Sequence, residues 1–149
     1  MAKSGLAFHV NQNKLVEFCD DYDVLLDCIK STRPLDERKL CLRLLKMIPK
    51  DKIPGKDSIL WKACMKAVED YEKAENAYVG TWKVYMKGRH DCAWESWMGA
   101  EDIYYMVRHV YNKAWESYLD AYAVELEKLH KELCPNCPWD GHSIFPMKI

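Results

Sequence analysis

The amino-acid sequence predicts an all-α protein: a helical bundle built on a long antiparallel αα-hairpin, about 57–87 and 91–133, with two shorter N-terminal helices and an irregular C-terminal tail. Three observations carry this prediction. Apolar residues recur at spacings of three and four along most of the chain. Small and aromatic residues alternate at a seven-residue period through its second half. No segment alternates like a strand for more than a few residues.

The first helix is expected from about Asn13 to Lys30, with Leu15, Phe18, Cys19, Tyr22, Leu25, Leu26 and Ile29 on one face and Asn11 or Asn13 as cap. Ser31-Thr32-Arg33-Pro34 ends it. The second helix opens with Thr32 or Arg33 as cap and Pro34, Asp36 and Glu37 in its first turn. It is expected to reach about Ile48, with Leu40, Cys41, Leu44 and Ile48 inward, before a basic loop from Pro49 to Gly55. The third helix starts near Asp57 or Ser58 and runs to about Lys87, where Gly88 suits a C-terminal cap. Asp91 suits the N-cap of a fourth helix ending near Leu133, about 65 Å long if unbroken, with Gly99 the expected place for a break. The helical domain is thus expected to occupy 1–133 and the tail 134–149.

The hairpin rests on its seam. Ala67/Tyr71, Ala74/Tyr78 and Thr81/Tyr85 on the third helix are matched by Ala93/Trp97, Ala100/Tyr104, Val107/Tyr111 and Ala114/Tyr118 on the fourth. Residues four apart share a helix face, and small side chains let a neighbouring backbone come close while the aromatics cover the gaps. Sustained heptads imply left-handed, coiled-coil-like crossing. Thirteen of the eighteen aromatics lie between Trp61 and Tyr122, so not all fit one seam. Trp94, Tyr105, Trp115 and Tyr122 fall outside it, where packing on the first two helices and exposure as binding anchors are both open to them.

Length and composition set the class. With 149 residues, 49% hydrophobic and 30% charged, and six Gly and six Pro, the chain is neither collagenous nor disordered and can close one sizeable core. Charges interrupt every apolar run before the roughly 18 residues of a membrane span. The first nine residues lack the apolar stretch of a secretory signal, so an intracellular, cytoplasmic protein is expected. The net charge of −1 conceals a layout: residues 1–29 carry −3, residues 30–66 carry +7 and residues 67–129 carry −5. The basic stretch is expected to be solvated or to dock on the chain's own acidic half; contact with nucleic acid through Lys39, Arg43, Lys46, Lys50, Lys52 and Lys56 is the alternative.

Seven cysteines are an odd number without an export signal, so disulfides are not expected. Cys19, Cys28, Cys41, Cys64 and Cys92 read as small buried hydrophobes. Cys134 and Cys137 are different, because two thiolates separated by two residues can chelate one tetrahedral ion. Cys134-x2-Cys137-x3-Gly141-His142 resembles the first three ligand positions of a zinc knuckle over nine residues. Met147 stands where the knuckle's last cysteine would fall, so the nucleic-acid binding that the resemblance implies is not carried over. His130, one helical turn before Cys134, supplies a substitute. The expected set is His130, Cys134, Cys137 and His142, a structural zinc site tying the tail to the helix end; a free-thiol tail is the competing reading.

No catalytic residues are identified. Glu127-x-x-His130 has the spacing of a di-iron pair but lacks the second such motif. Arg89-His90-Asp91-Cys92 is a cluster in one dimension only, and no phosphate-binding glycine loop, serine elbow or His-Glu-x-x-His is present. The expected function is a non-enzymatic protein-interaction module, an adaptor or inhibitor, of the kind a phage or mobile element uses to block a host complex. Trp94, Tyr105, Trp115 and Tyr122 are its candidate contacts, a protein partner is favoured, and pairing of two copies is open. The alternative is a zinc-dependent nucleic-acid-binding protein using residues 38–56 and the Cys-x2-Cys tail. An enzyme whose site is assembled from distant residues is the third reading.

Overall fold

The computed structural model describes residues 4–88 and 91–145. Its elements in chain order are β1 (Gly5–Phe8), β2 (Val16–Cys19), α1 (Tyr22–Thr32), α2 (Leu35–Leu44), β3 (Lys46–Met47), a 3-10 turn (Lys50–Lys52), α3 (Ile59–Gly88), α4 (Asp91–Ala121) and α5 (Ala123–Leu133). They divide into two compact units, one formed by Met1–Pro54 with Ala123–Ile149 and one by Gly55–Tyr122. The expected helical class and the long hairpin are present. Residues 123–133 and the described part of the tail belong with the N-terminal segment.

The first unit corrects the expectation of a strand-free chain. β1 is the middle strand of a small antiparallel sheet, with β2 and β3 on either side. Leu6 pairs with Phe18, and Ala7 pairs with both Glu17 and Met47. Leu6, Ala7 and Phe8 are wholly buried, so this strand has no polar face to alternate with its apolar one. A second correction concerns the first helix, which begins at Tyr22 instead of near Asn13. Val16, Phe18 and Cys19 fit a helical stripe and a short strand alike, and four residues are too few to separate the two periods. The start is set by Asp21, whose carboxylate accepts the N–H groups of Asp23 and Val24.

α2 starts at Leu35 with Pro34, instead of Thr32 or Arg33, in the cap position and so outside the first turn, because α1 continues to Thr32. It stops at Leu44 instead of near Ile48. The following residues are taken by the sheet: β3 pairs with β1, and the Ile48 N–H donates to the Leu6 carbonyl at 2.9 Å. The core of this unit gathers Ala7, Cys19, Ile29, Cys41, Leu44, Leu45, Cys134 and Ile144.

The second unit is the hairpin of α3 and α4. Ser58 caps α3, its Oγ accepting the Trp61 N–H at 3.1 Å. The seam forms as the spacing predicts: Tyr78 stacks on Tyr104 at 5.2 Å, Tyr85 on Trp97 at 5.3 Å and Tyr71 on Tyr111 at 4.9 Å between ring centres. Ala67, Ala74 and Ala93 are buried between them. Tyr71 and Tyr104 share a hydrogen bond of 2.9 Å between hydroxyls. Helix α4 passes through Gly99 unbroken; the interruption comes at Tyr122. At that residue the ring closes over Gly55, whose φ of +62° and missing side chain leave room for it.

Candidate metal centre

Two donors come from the end of α5. His130 and Cys134 are one helical turn apart, and the Cys134 N–H donates to the His130 carbonyl at 2.8 Å, keeping helical geometry one residue past Leu133. Pro135 cannot continue the helix. Asn136 then adopts a φ of 60°, a left-handed conformation that asparagine tolerates, and the chain turns back to present Cys137. The fourth donor comes from the opposite end of the sequence. His9 follows β1 directly, with a φ of 59°, and its N–H closes the β1–β2 connection on the Leu15 carbonyl at 3.0 Å.

The ligand atoms of His9, His130, Cys134 and Cys137 all lie within 4.8 Å of one another, and this group can hold a metal ion. His9 Nε2 is 2.9 Å from His130 Nε2 and 3.2 Å from Cys137 Sγ. Around a tetrahedral ion with bonds of about 2.0 Å to nitrogen and 2.3 Å to sulfur, ligand atoms sit roughly 3.3–3.8 Å apart. The observed spacing needs only small adjustments to meet that geometry. Phe8 and Trp139 pack on the two imidazoles: Phe8 lies 5.1 Å from His130, and Trp139 lies 5.7 Å from His9. Both histidines and Cys134 are buried, and Cys137 is half-buried.

Burial sets the electrostatics. It lowers the His9 pKa to about 4, helped by the charge of His130, and it lowers that of His130 as well, so both rings are neutral and free to donate a lone pair at neutral pH. The Cys134 thiol is pushed up to about 11, first by burial and then by its hydrogen bond and charge interaction with Cys137. Lys46 and Arg43 act in the opposite direction and favour the thiolate. A bound divalent cation would stabilise both thiolates far more strongly.

The structure changes one of the four expected ligands. His130, Cys134 and Cys137 are brought together, but His142 is exposed and outside the group. Its N–H and that of Ser143 donate to Asp140 Oδ1, each at 2.8 Å, in a local turn. Two residues on, Ile144 is buried and its N–H donates to the Gln12 carbonyl at 3.0 Å, fastening the tail by its backbone and an apolar side chain. Met147 lies outside the described residues. His9 was missed because its partner His130 is 121 positions away; the one local hint is its place after the apolar run Leu6-Ala7-Phe8.

The other candidates disperse. Trp94 and Tyr105 are exposed at 44% and 55%. Trp115, expected among the anchors, is buried within the hairpin unit against Trp61, Tyr111 and Tyr118. Tyr122 is half-buried on Tyr118. Of the basic residues, the Lys46 ammonium donates to the Leu133 carbonyl and Lys52 pairs with Glu132 at 2.5 Å. Lys39, Arg43, Lys50 and Lys56 are exposed. Of the five cysteines expected to be buried, Cys19, Cys41 and Cys64 are, whereas Cys28 and Cys92 are exposed. Arg89 and His90 of the one-dimensional cluster lie outside the described residues. No helix among the described residues is long and apolar enough to cross a membrane. Comparison with protein-family models, curated proteins and solved structures returns no match, so the functional reading rests on these side chains.

Proposed function

We propose that His9, His130, Cys134 and Cys137 bind one zinc ion in a structural role, and that the protein is a non-enzymatic interaction module whose hairpin meets a protein partner. The donor set carries this reading. Two imidazoles and two thiols around one point match the softness and tetrahedral preference of zinc, and four protein ligands leave no coordination position for a substrate. The ion would join the end of β1 to the end of α5, sequence-distant segments of one unit, and its binding energy would become folding energy for that unit. The hairpin supports the second half of the reading. Among the described residues, ten of the thirteen exposed large apolar side chains lie between Gly55 and Tyr122, including Trp82, Trp94 and Tyr105, a surface suited to protein contact.

Metal analysis of protein purified without chelator tests the site: about one zinc per chain is expected, and less than about 0.2 overturns it. Capture of a stoichiometric protein partner that is lost on substituting Trp94 and Tyr105 together tests the interaction role.

A further inference from the structure

The two thiols of the candidate metal group share one turn and one cavity. Pro135 and Asn136 form the turn between Cys134 and Cys137, and its bend at Asn136, with a φ of 60°, leaves the two sulfur atoms within 4.8 Å of each other. Residues at the two ends of such a turn have Cα atoms less than about 7 Å apart, a span that a disulfide bridges. A cavity of about 420 Å³ is lined by both cysteines together with His130, Lys131 and Trp139. A water molecule occupies roughly 30 Å³ in the liquid, so an oxidant of a few heavy atoms fits there easily. Cys134 is buried and Cys137 half-buried, which makes Cys137 the sulfur that an incoming molecule meets first. The other five cysteines lie outside the group: Cys19, Cys41 and Cys64 are buried, and Cys28 and Cys92 are exposed.

We propose that Cys134 and Cys137 are a redox modification site, at which a hydroperoxide joins the two sulfurs as a disulfide and so releases the zinc ion. This proposal rests on the zinc reading and adds its regulation. With hydrogen peroxide, the Cys137 thiolate attacks one oxygen, the O–O bond breaks, and a sulfenic acid and a hydroxide result. The Cys134 thiolate then attacks the Cys137 sulfur, the S–O bond breaks and a second hydroxide leaves. Each hydroxide takes a proton from solvent. Two thiolates have then given up two electrons, and one peroxide has become two water molecules. It is the thiolate that ligates a metal, so the disulfide leaves only His9 and His130 as donors, too few for a stable tetrahedral site. Their Nε2 atoms, 2.9 Å apart, can share a proton once the ion has gone. Release unties the end of β1 from the end of α5, and a dithiol reverses it by thiol–disulfide exchange.

Treatment of the full-length, zinc-loaded protein with hydrogen peroxide tests the site, with zinc release followed by a colorimetric chelator and the thiols by peptide mass mapping. One zinc is expected to leave for each Cys134–Cys137 disulfide formed, and dithiothreitol with added zinc should restore the loaded protein. The double variant Cys28→Ser/Cys92→Ser, which lacks the two exposed thiols, should release zinc at a rate within about twofold of the unsubstituted chain. Cys137→His keeps four donors but cannot form the bridge, and should hold its zinc at least about tenfold longer under the same oxidant. If that variant fails to load, mapping of the unsubstituted chain decides. Zinc that stays bound after peroxide, or leaves with sulfinic acids or with disulfides to other cysteines, overturns the redox site while the zinc reading stands. A chain purified with less than about 0.2 zinc overturns both.

Discussion

In the candidate metal group, His9 sits among Phe8, His130 and Trp139 with a pKa lowered to about 4 by burial. In the unfolded chain it returns to 6.5. A base whose folded pKa lies below its unfolded one favours the fold fully above the unfolded value and loses that contribution as pH falls through the folded one. Metal-free protein should therefore lose roughly 2–3 kcal/mol between pH 7 and 4, read by urea unfolding at each pH. A His9→Leu variant should show a clearly shallower loss, and an equal slope would contradict the assignment. The two histidines of the revised ligand set also separate by substitution. His9→Ala should lower zinc content at least tenfold, whereas His142→Ala, at an exposed position, should leave it unchanged; metal content by mass spectrometry distinguishes them.

At the scale of the element, the hairpin is governed by side-chain size. Ala74 is buried in the seam close to where Tyr71 and Tyr78 meet Tyr104. Ala74→Leu should overfill it and cost about 1–3 kcal/mol, measured as a lower thermal midpoint for the hairpin. Gly99 makes the opposite case. A Cβ placed there meets no atom within 4 Å, and the residue is itself exposed within the unbroken helix α4. Gly99→Ala should therefore stabilise by about 0.5–1 kcal/mol, because only the unfolded chain loses freedom. A destabilising result would show that α4 needs Gly99 for a bend or a close contact.

For the whole molecule, the His/Cys group that can hold a metal belongs to one unit and the aromatic seam to the other. Chelation is expected to act unevenly. Amides of residues 4–54 and 123–145 should lose hydrogen-exchange protection when chelator removes the proposed zinc, while those in the seam of α3 and α4 keep most of theirs. Uniform loss across the chain would show that the hairpin depends on the metal, and no loss anywhere would show that the ion does not support the fold.

Much of this was legible in the residues. The seam pairs are local, four apart and repeated, so helical geometry alone puts them on one face, and α3 and α4 follow from it. Cys134 and Cys137 announce a chelating turn, and His130 joins them through the pitch of one helix. The sheet was hidden because its strands are four residues or fewer and β1 is buried on both sides, leaving no alternation to detect. The identity of the fourth ligand was equally hidden. His142 is near in sequence, but the Asp140 turn and the buried Ile144 leave it exposed. His9 is far in sequence, but pairing of β1 with β2 and β3 brings it to the end of α5. The sequence by itself determined the helical class, the hairpin and three of the four side chains of the candidate metal group, all consequences of short-range periodicity. Only the tertiary structure decided the sheet, the division into two units and the choice of His9, because those depend on contacts between segments that no local spacing encodes.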